Sequence, residues 1–250
     1  MLYVAIALIV FVLSGVLAMA GLGAAFLFVP IFYWLGVPLD VATSTALLLN
    51  VVSLSFASAT YWRAHLVNLA LGVPITLAAV VLAPVGARVA PRVDTHILLA
   101  LLAAFLVFAG AMMLFYRRSE NARTLGRRTE VAVGVGVGGL AGFLGGLLGV
   151  GGGNIILPAL NGAGLETKVA AGTTGLAVVF SSLSGFLGRI AVSNLNGVLV
   201  GVSAVAAAGG SLVGSHLMTS KISNLQLKRL IAVVLWVVAA KIAWDLATGG

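Results

Sequence analysis

The sequence predicts an all-α polytopic membrane protein made of two inverted structural repeats. Each repeat has about five membrane segments, with broken or re-entrant helices at glycine-rich motifs. Three observations carry this prediction. Hydrophobic residues make up 61% of the 250 and charged residues only 8%, whereas a soluble domain carries roughly 25% charged residues. Long apolar runs separated by short polar breaks are helical spans, since a membrane barrel would show alternation instead. Finally, the chain matches itself at a fixed offset, and internal duplication is common in membrane carriers.

The apolar segments run over 3–20, 22–36, 41–60, 67–87 and 96–115, then over 131–148, 152–161, 169–188, 196–216 and 224–244. The one hydrophilic stretch, 116–130, carries Arg117, Arg118, Arg123, Arg127 and Arg128. It divides a first transmembrane repeat (1–115) from a second (131–250) and reads as a basic cytoplasmic linker. Met1-Leu2-Tyr3 leads straight into an apolar run without a basic leader, so no cleavable signal is expected.

A shift of 128 residues superposes Gly21 on Gly149, Gly23 on Gly151, Pro30 on Pro158, Gly36 on Gly164, Thr45 on Thr173, Ser53 on Ser181 and Asn68 on Asn196. Chance matches in apolar sequence would be mostly Leu, Val or Ala, so these Gly, Pro and polar coincidences mark a duplication. Five crossings per half, or a re-entrant hairpin followed by three, would invert the second half. One broken span per half would leave the halves parallel. Charge favours inversion. With the linker inside, the inside loops hold Arg63, the linker arginines, Lys168, Lys221, Lys228 and Arg229, leaving only Arg88, Arg92, Arg189 and Lys241 outside. The formal charge of +8 therefore reports topology, and no nucleic-acid partner is expected.

The candidate site residues follow from the breaks. Gly21 and Gly23 in the first half, and Gly149, Gly151, Gly152 and Gly153 in the second, cannot continue a helix cheaply, at roughly 1 kcal/mol each against alanine. In lipid the opened backbone must find partners or line a wet cavity. A half-helix starting at mid-membrane turns its N–H groups and positive dipole end toward that cavity, which suits an anion. Small residues at four-residue spacing, Gly142/Gly146 and Gly145/Gly149, would alternatively serve close helix packing. Asn154 follows the second break. It also stands where a dinucleotide fingerprint would need glycine, so that motif fails.

Thr45, Asn50 and Ser53, against Thr173, Thr174 and Ser181, offer uncharged donors on the third segment of each half. Hydroxyls in membrane helices also bond their own preceding carbonyls. Arg189 closes a span and is an ionisable group near membrane depth, with Arg63 and His65 at the corresponding end of the first half. Trp34, Trp62, Trp236, Trp244, Tyr33 and Tyr61 read as an aromatic belt. Cysteine is absent, and neither a carboxylate pair nor a histidine cluster lies inside a span. No enzymatic activity, cofactor or metal site is therefore expected.

On the glycine motifs through Pro30 and Pro158, the Ala42-Thr43-Ser44-Thr45 and Ala171-Gly172-Thr173-Thr174 segments, and the His65-Leu66-Val67-Asn68 and Asn194-Leu195-Asn196 regions, the chain resembles the TauE/SafE family of sulfite exporters, or TSUP permeases (DUF81). The first motif departs from the family pattern at Ala24-Ala25, so that half is expected to bind less closely. The resemblance implies a secondary transporter of the bacterial inner membrane that moves sulfite, thiosulfate, a sulfonate or sulfoacetate. Its partners would be that small sulfur oxyanion and the lipid bilayer, with a homodimer an admissible assembly. The residues alone reach a small-anion carrier working by alternating access. A passive anion-selective channel and a non-transporting membrane scaffold stand as the rival readings.

Overall fold

The computed structural model describes residues 2–115, 127–189, 197–220 and 223–248. Among these it is all-helical, with ten α-helices: α1 (Leu2–Ala18), α2 (Ala25–Trp34), α3 (Leu39–Arg63), α4 (Leu69–Val89), α5 (Thr95–Phe115), α6 (Arg127–Leu148), α7 (Gly153–Gly162), α8 (Thr167–Arg189), α9 (Gly197–Ser220) and α10 (Asn224–Thr248). The ten apolar segments of the sequence are these ten helices. Arg127, Arg128 and Glu130 form the first turn of α6 rather than an irregular link. Residues 116–126 with Arg117, Arg118 and Arg123, the Asn194-Leu195-Asn196 region and Lys221 lie outside the described residues.

Among the described residues six helices, α3, α4, α5, α6, α8 and α9, are long and apolar enough to cross a membrane. Their outward faces carry large apolar side chains such as Val205, Val81 and Leu77, as a lipid-facing surface requires. The helices α2 and α7 have only 10 residues each. At 1.5 Å per residue they reach about 15 Å, half of a ~30 Å hydrocarbon core.

The duplication is visible in the backbone. Positive φ occurs at Gly21, Gly23 and Gly36 (64°, 69° and 82°) and at their partners Gly149, Gly151 and Gly164 (74°, 74° and 91°). Both short helices end in the same way. Gly36 N–H donates to the Tyr33 carbonyl and Val37 N–H to Phe32; Gly164 N–H donates to Asn161 and Leu165 N–H to Leu160. This is the glycine-terminated cap that satisfies otherwise orphaned carbonyls. The two starts differ. Ala24 precedes α2 at φ −99°, while Gly152 precedes α7 in the left-handed region at +80°.

Packing also repeats with the halves exchanged. The helix α6 runs beside α4, and α1 beside α9. Glycines permit both approaches: a Cβ on Gly142 would lie 2.5 Å from the Ala79 backbone, and one on Gly146 would overlap the Ala83 carbonyl. On the other side, side chains at Gly210 and Gly214 would overlap the Phe11 and Gly15 carbonyls. The packing role weighed for the Gly142/Gly146 pair is therefore real. The matched helices α3 and α8 lie against each other with opposite directions. Thr43 near the start of α3 meets Arg189 at the end of α8, Asn50 meets Ser182 at mid-length, and Asn68 beyond the end of α3 meets Thr173 near the start of α8.

One aromatic does not belong to the belt. Trp34, Trp62, Trp236 and Trp244 are exposed, but Tyr61 is wholly buried and its hydroxyl donates to the Ala18 carbonyl at the end of α1. Phenylalanine at this position would remove that donor and leave the carbonyl to the Gly21 N–H alone, at about 0.5–1.5 kcal/mol. The expected outcome for Tyr61→Phe is a lower melting temperature in detergent, whereas Trp62→Phe leaves it unchanged.

Candidate functional site

The two glycine turns meet at the mid-height of α3 and α8. Gly153, the first residue of α7, abuts the first turn so closely that a Cβ there would stand 2.8 Å from the Leu22 carbonyl oxygen. Asn50 stands between the turns. A side chain on Gly23 would overlap its carboxamide, and a Cβ on Gly151 would lie 2.7 Å from its Nδ2 and 2.5 Å from Ser182 Oγ. Positive φ and the absence of a side chain are both required at Gly151, which leaves glycine as the only fit.

Asn50 is fully buried and bonded on both sides. Its Oδ1 accepts from the Ala25 N–H at 3.1 Å, and its Nδ2 donates to Ser182 Oγ at 3.3 Å. It thereby satisfies one orphan donor of the α2 N-terminus and ties the two halves together. Ser181 donates to the Gly151 carbonyl at 2.9 Å, fixing the second turn from α8. Thr173 donates to Val169 and accepts from the Asn68 N–H, a helix-internal bond joined to a contact between halves. The remaining predicted side chains are buried, and the Thr45, Ser53 and Thr174 hydroxyls and both amide atoms of Asn154 have no hydrogen-bond partner among the described residues. Gly21 packs on Ala171 and Gly175, Gly149 on Thr43, and Gly152 on Ala141.

Arg189 lies apart from the meeting point. It is 3% exposed and donates to the Gly146 and Leu147 carbonyls, both at 2.8 Å, and to Thr43 Oγ1 at 3.0 Å. A cation on the last carbonyls of α6 is favourable for that helix's dipole. The residue 128 positions earlier is Tyr61, not Arg63 or His65, and Tyr61 serves the matching carbonyl of Ala18. Arg63 and His65 are exposed instead. Nothing in the local sequence marks Tyr61 or Thr43 for these roles, although the offset of 128 pairs Tyr61 with Arg189.

A cavity of about 440 Å³ opens at this end, lined by Pro38, Leu39, Asp40 and Thr43 of α3, by Ala90, Pro91, Val93, Thr95 and Leu98, and by Arg189. It is a vestibule with one cationic and one anionic side chain. Of the predicted residues it includes Arg189 alone. Thr43 forms part of its wall and also touches the second turn, since a Cβ on Gly149 would lie 2.6 Å from the Thr43 Cβ. A larger groove of about 660 Å³ between α1 and α9 is lined only by apolar residues, so it offers an anion nothing. Among the described residues no group of His, Asp or Glu could hold a metal ion.

Comparison with known proteins adds one match. The family model described as Sulfite exporter TauE/SafE matches residues 6–242. No curated protein and no solved structure matches the chain.

Proposed function

The chain belongs to the TauE/SafE sulfite exporter family, and from that premise we propose a multi-pass secondary transporter that carries a small sulfur-containing anion by alternating access. Family membership suggests a membrane transporter of sulfur anions. The finer reading names sulfite, thiosulfate, a sulfonate or sulfoacetate as cargo and the bacterial inner membrane as the location.

The observation that carries it is the meeting of the two glycine turns between antiparallel α3 and α8. In the proposed arrangement α1–α2 and α6–α7 each pair a longer helix with a half-length one and return to the face they entered, the two pairs from opposite faces. The helix α6 reaches across the core beside α4, while α3–α5 and α8–α10 cross. Equivalent helices then run in opposite senses, as inverted repeats require. Helix N-termini at mid-membrane, free of charged side chains, attract an anion without trapping it. Rocking one half on the other would open the turns to either side, with the Arg189–Thr43 contact parting as the vestibule side opens.

Counterflow in proteoliposomes tests this reading. Vesicles loaded with unlabelled sulfite are expected to accelerate uptake of ³⁵S-sulfite, with saturation. Linear flux without acceleration would establish a channel instead, and no flux of any sulfur anion would establish a scaffold.

A further inference from the structure

The halves share positive-φ glycines and helix caps at positions 128 apart, so the places where they differ chemically at equivalent positions are informative. Four such pairs, each 128 residues apart, surround the two turns. The first residue of the short helix is Ala25 in one half and Gly153 in the other. The Ala25 N–H is taken by Asn50 Oδ1. The position equivalent to Asn50 is Val178, whose methyls lie 2.9 and 3.1 Å from where Cβ atoms on Gly151 and Gly153 would be. A methyl accepts no hydrogen bond, so α7 has no side-chain counterpart to the Asn50 cap.

The second residue of the short helix is Phe26 in one half and Asn154 in the other. Phe26 is fully buried and apolar. Asn154 is 3% exposed, with neither Oδ1 nor Nδ2 bonded among the described residues. Its Cα–Cβ bond, like every one in a helix, tilts toward the helix N-terminus. An unbonded carboxamide in a buried setting is destabilising, and a ligand that bonds it recovers that cost. The last pair is Tyr61 and Arg189. Each serves the carbonyl end of the helix entering its turn, one with a neutral donor and the other with a cation. The Asn50/Val178 and Phe26/Asn154 differences favour negative charge at the second turn and disfavour it at the first, and Arg189, apart from the turn itself, puts its cation in the same half.

We propose, building on the transport reading above, that the substrate anion is held by the second repeat alone: by the α7 N-terminus, from Gly153 onward, and the Asn154 carboxamide. In the first repeat the Asn50 carboxamide permanently fills the equivalent position as an internal surrogate for the anion. The chemistry recognised is a compact oxyanion that accepts from backbone N–H groups and from Asn154 Nδ2. The anion gains access when the contact between Leu22 and Gly153 parts.

The test is calorimetric titration of the full chain in detergent with sulfite and, separately, thiosulfate. Val178→Asn gives the second repeat the cap of the first and is expected to weaken binding of the anion at least tenfold, with an unchanged or higher melting temperature. Asn154→Leu is expected to weaken it at least tenfold, while Phe26→Leu, the matched change in the first repeat, stays within twofold of wild type. Equal weakening by Asn154→Leu and Phe26→Leu, or an unaltered Kd in Val178→Asn, overturns the asymmetry while leaving the transport reading intact. If wild type binds and transports neither anion, the transport reading falls and takes this inference with it. Should Val178→Asn fail to fold, the Leu pair decides alone.

Discussion

Replacing Gly151 with valine is expected to reduce ³⁵S-sulfite flux in proteoliposomes to background. The backbone there has φ +74°, a conformation that costs a non-glycine residue about 1–3 kcal/mol and is a clear outlier for a β-branched one. The new Cβ would stand 2.5 Å from Ser182 Oγ and 2.7 Å from Asn50 Nδ2. Either the turn moves or Asn50 gives up its bonds to Ala25 and Ser182, and both outcomes part the surfaces on which the halves meet. Overpacking adds about 1–3 kcal/mol. The control is Gly36→Ala, where φ is +82° but nothing lies within 4 Å of the added atom. That variant bears the backbone strain without the collision and is expected to retain flux. Wild-type flux in Gly151→Val, at equal membrane yield, would remove the turn from the transport pathway.

Arg189→Met is expected to lower the melting temperature and slow sulfite exchange more than tenfold. Methionine fills much of the volume but strands the Gly146 and Leu147 carbonyls, which now accept at 2.8 Å each, and removes the 3.0 Å donor to Thr43, whose hydroxyl keeps its bond to the Leu39 carbonyl. Each buried carbonyl left unsatisfied costs about 1–3 kcal/mol. Arg189→Lys is expected to rescue only in part, because an ammonium lacks the planar fork that reaches carbonyls of α6 and a hydroxyl of α3 together. Arg63→Met, at the exposed end of α3, should match wild type in both measurements. Equal losses in the Arg63 and Arg189 variants would show that both act only as interfacial charge.

Much of the architecture was legible from Gly21, Pro30 and Gly36 and their partners Gly149, Pro158 and Gly164. These residues are confined to few backbone conformations, so their spacing prescribes breaks and caps without reference to anything distant. The same local rule explains why all ten helices were found, since apolar runs of given length must satisfy their own backbone bonds in lipid. The family, too, was readable, because its motifs are those local constraints. The role of Tyr61 was not. An aromatic near a helix end has the same sequence signature whether it faces headgroups or reaches a carbonyl on another helix, and only packing against α1 distinguishes the two.

Composition and glycine spacing by themselves determined a duplicated helical membrane protein with a break in each half, because solvation and backbone sterics act residue by residue. Only the tertiary structure decided that Asn50 bridges the two breaks, that Arg189 serves α6 and α3 rather than standing at the glycine turns, and that the Asn154 carboxamide has no partner among the described residues. Those outcomes depend on which surfaces α3 and α8 turn toward each other. Contacts between residues more than a hundred positions apart leave no periodicity along the chain.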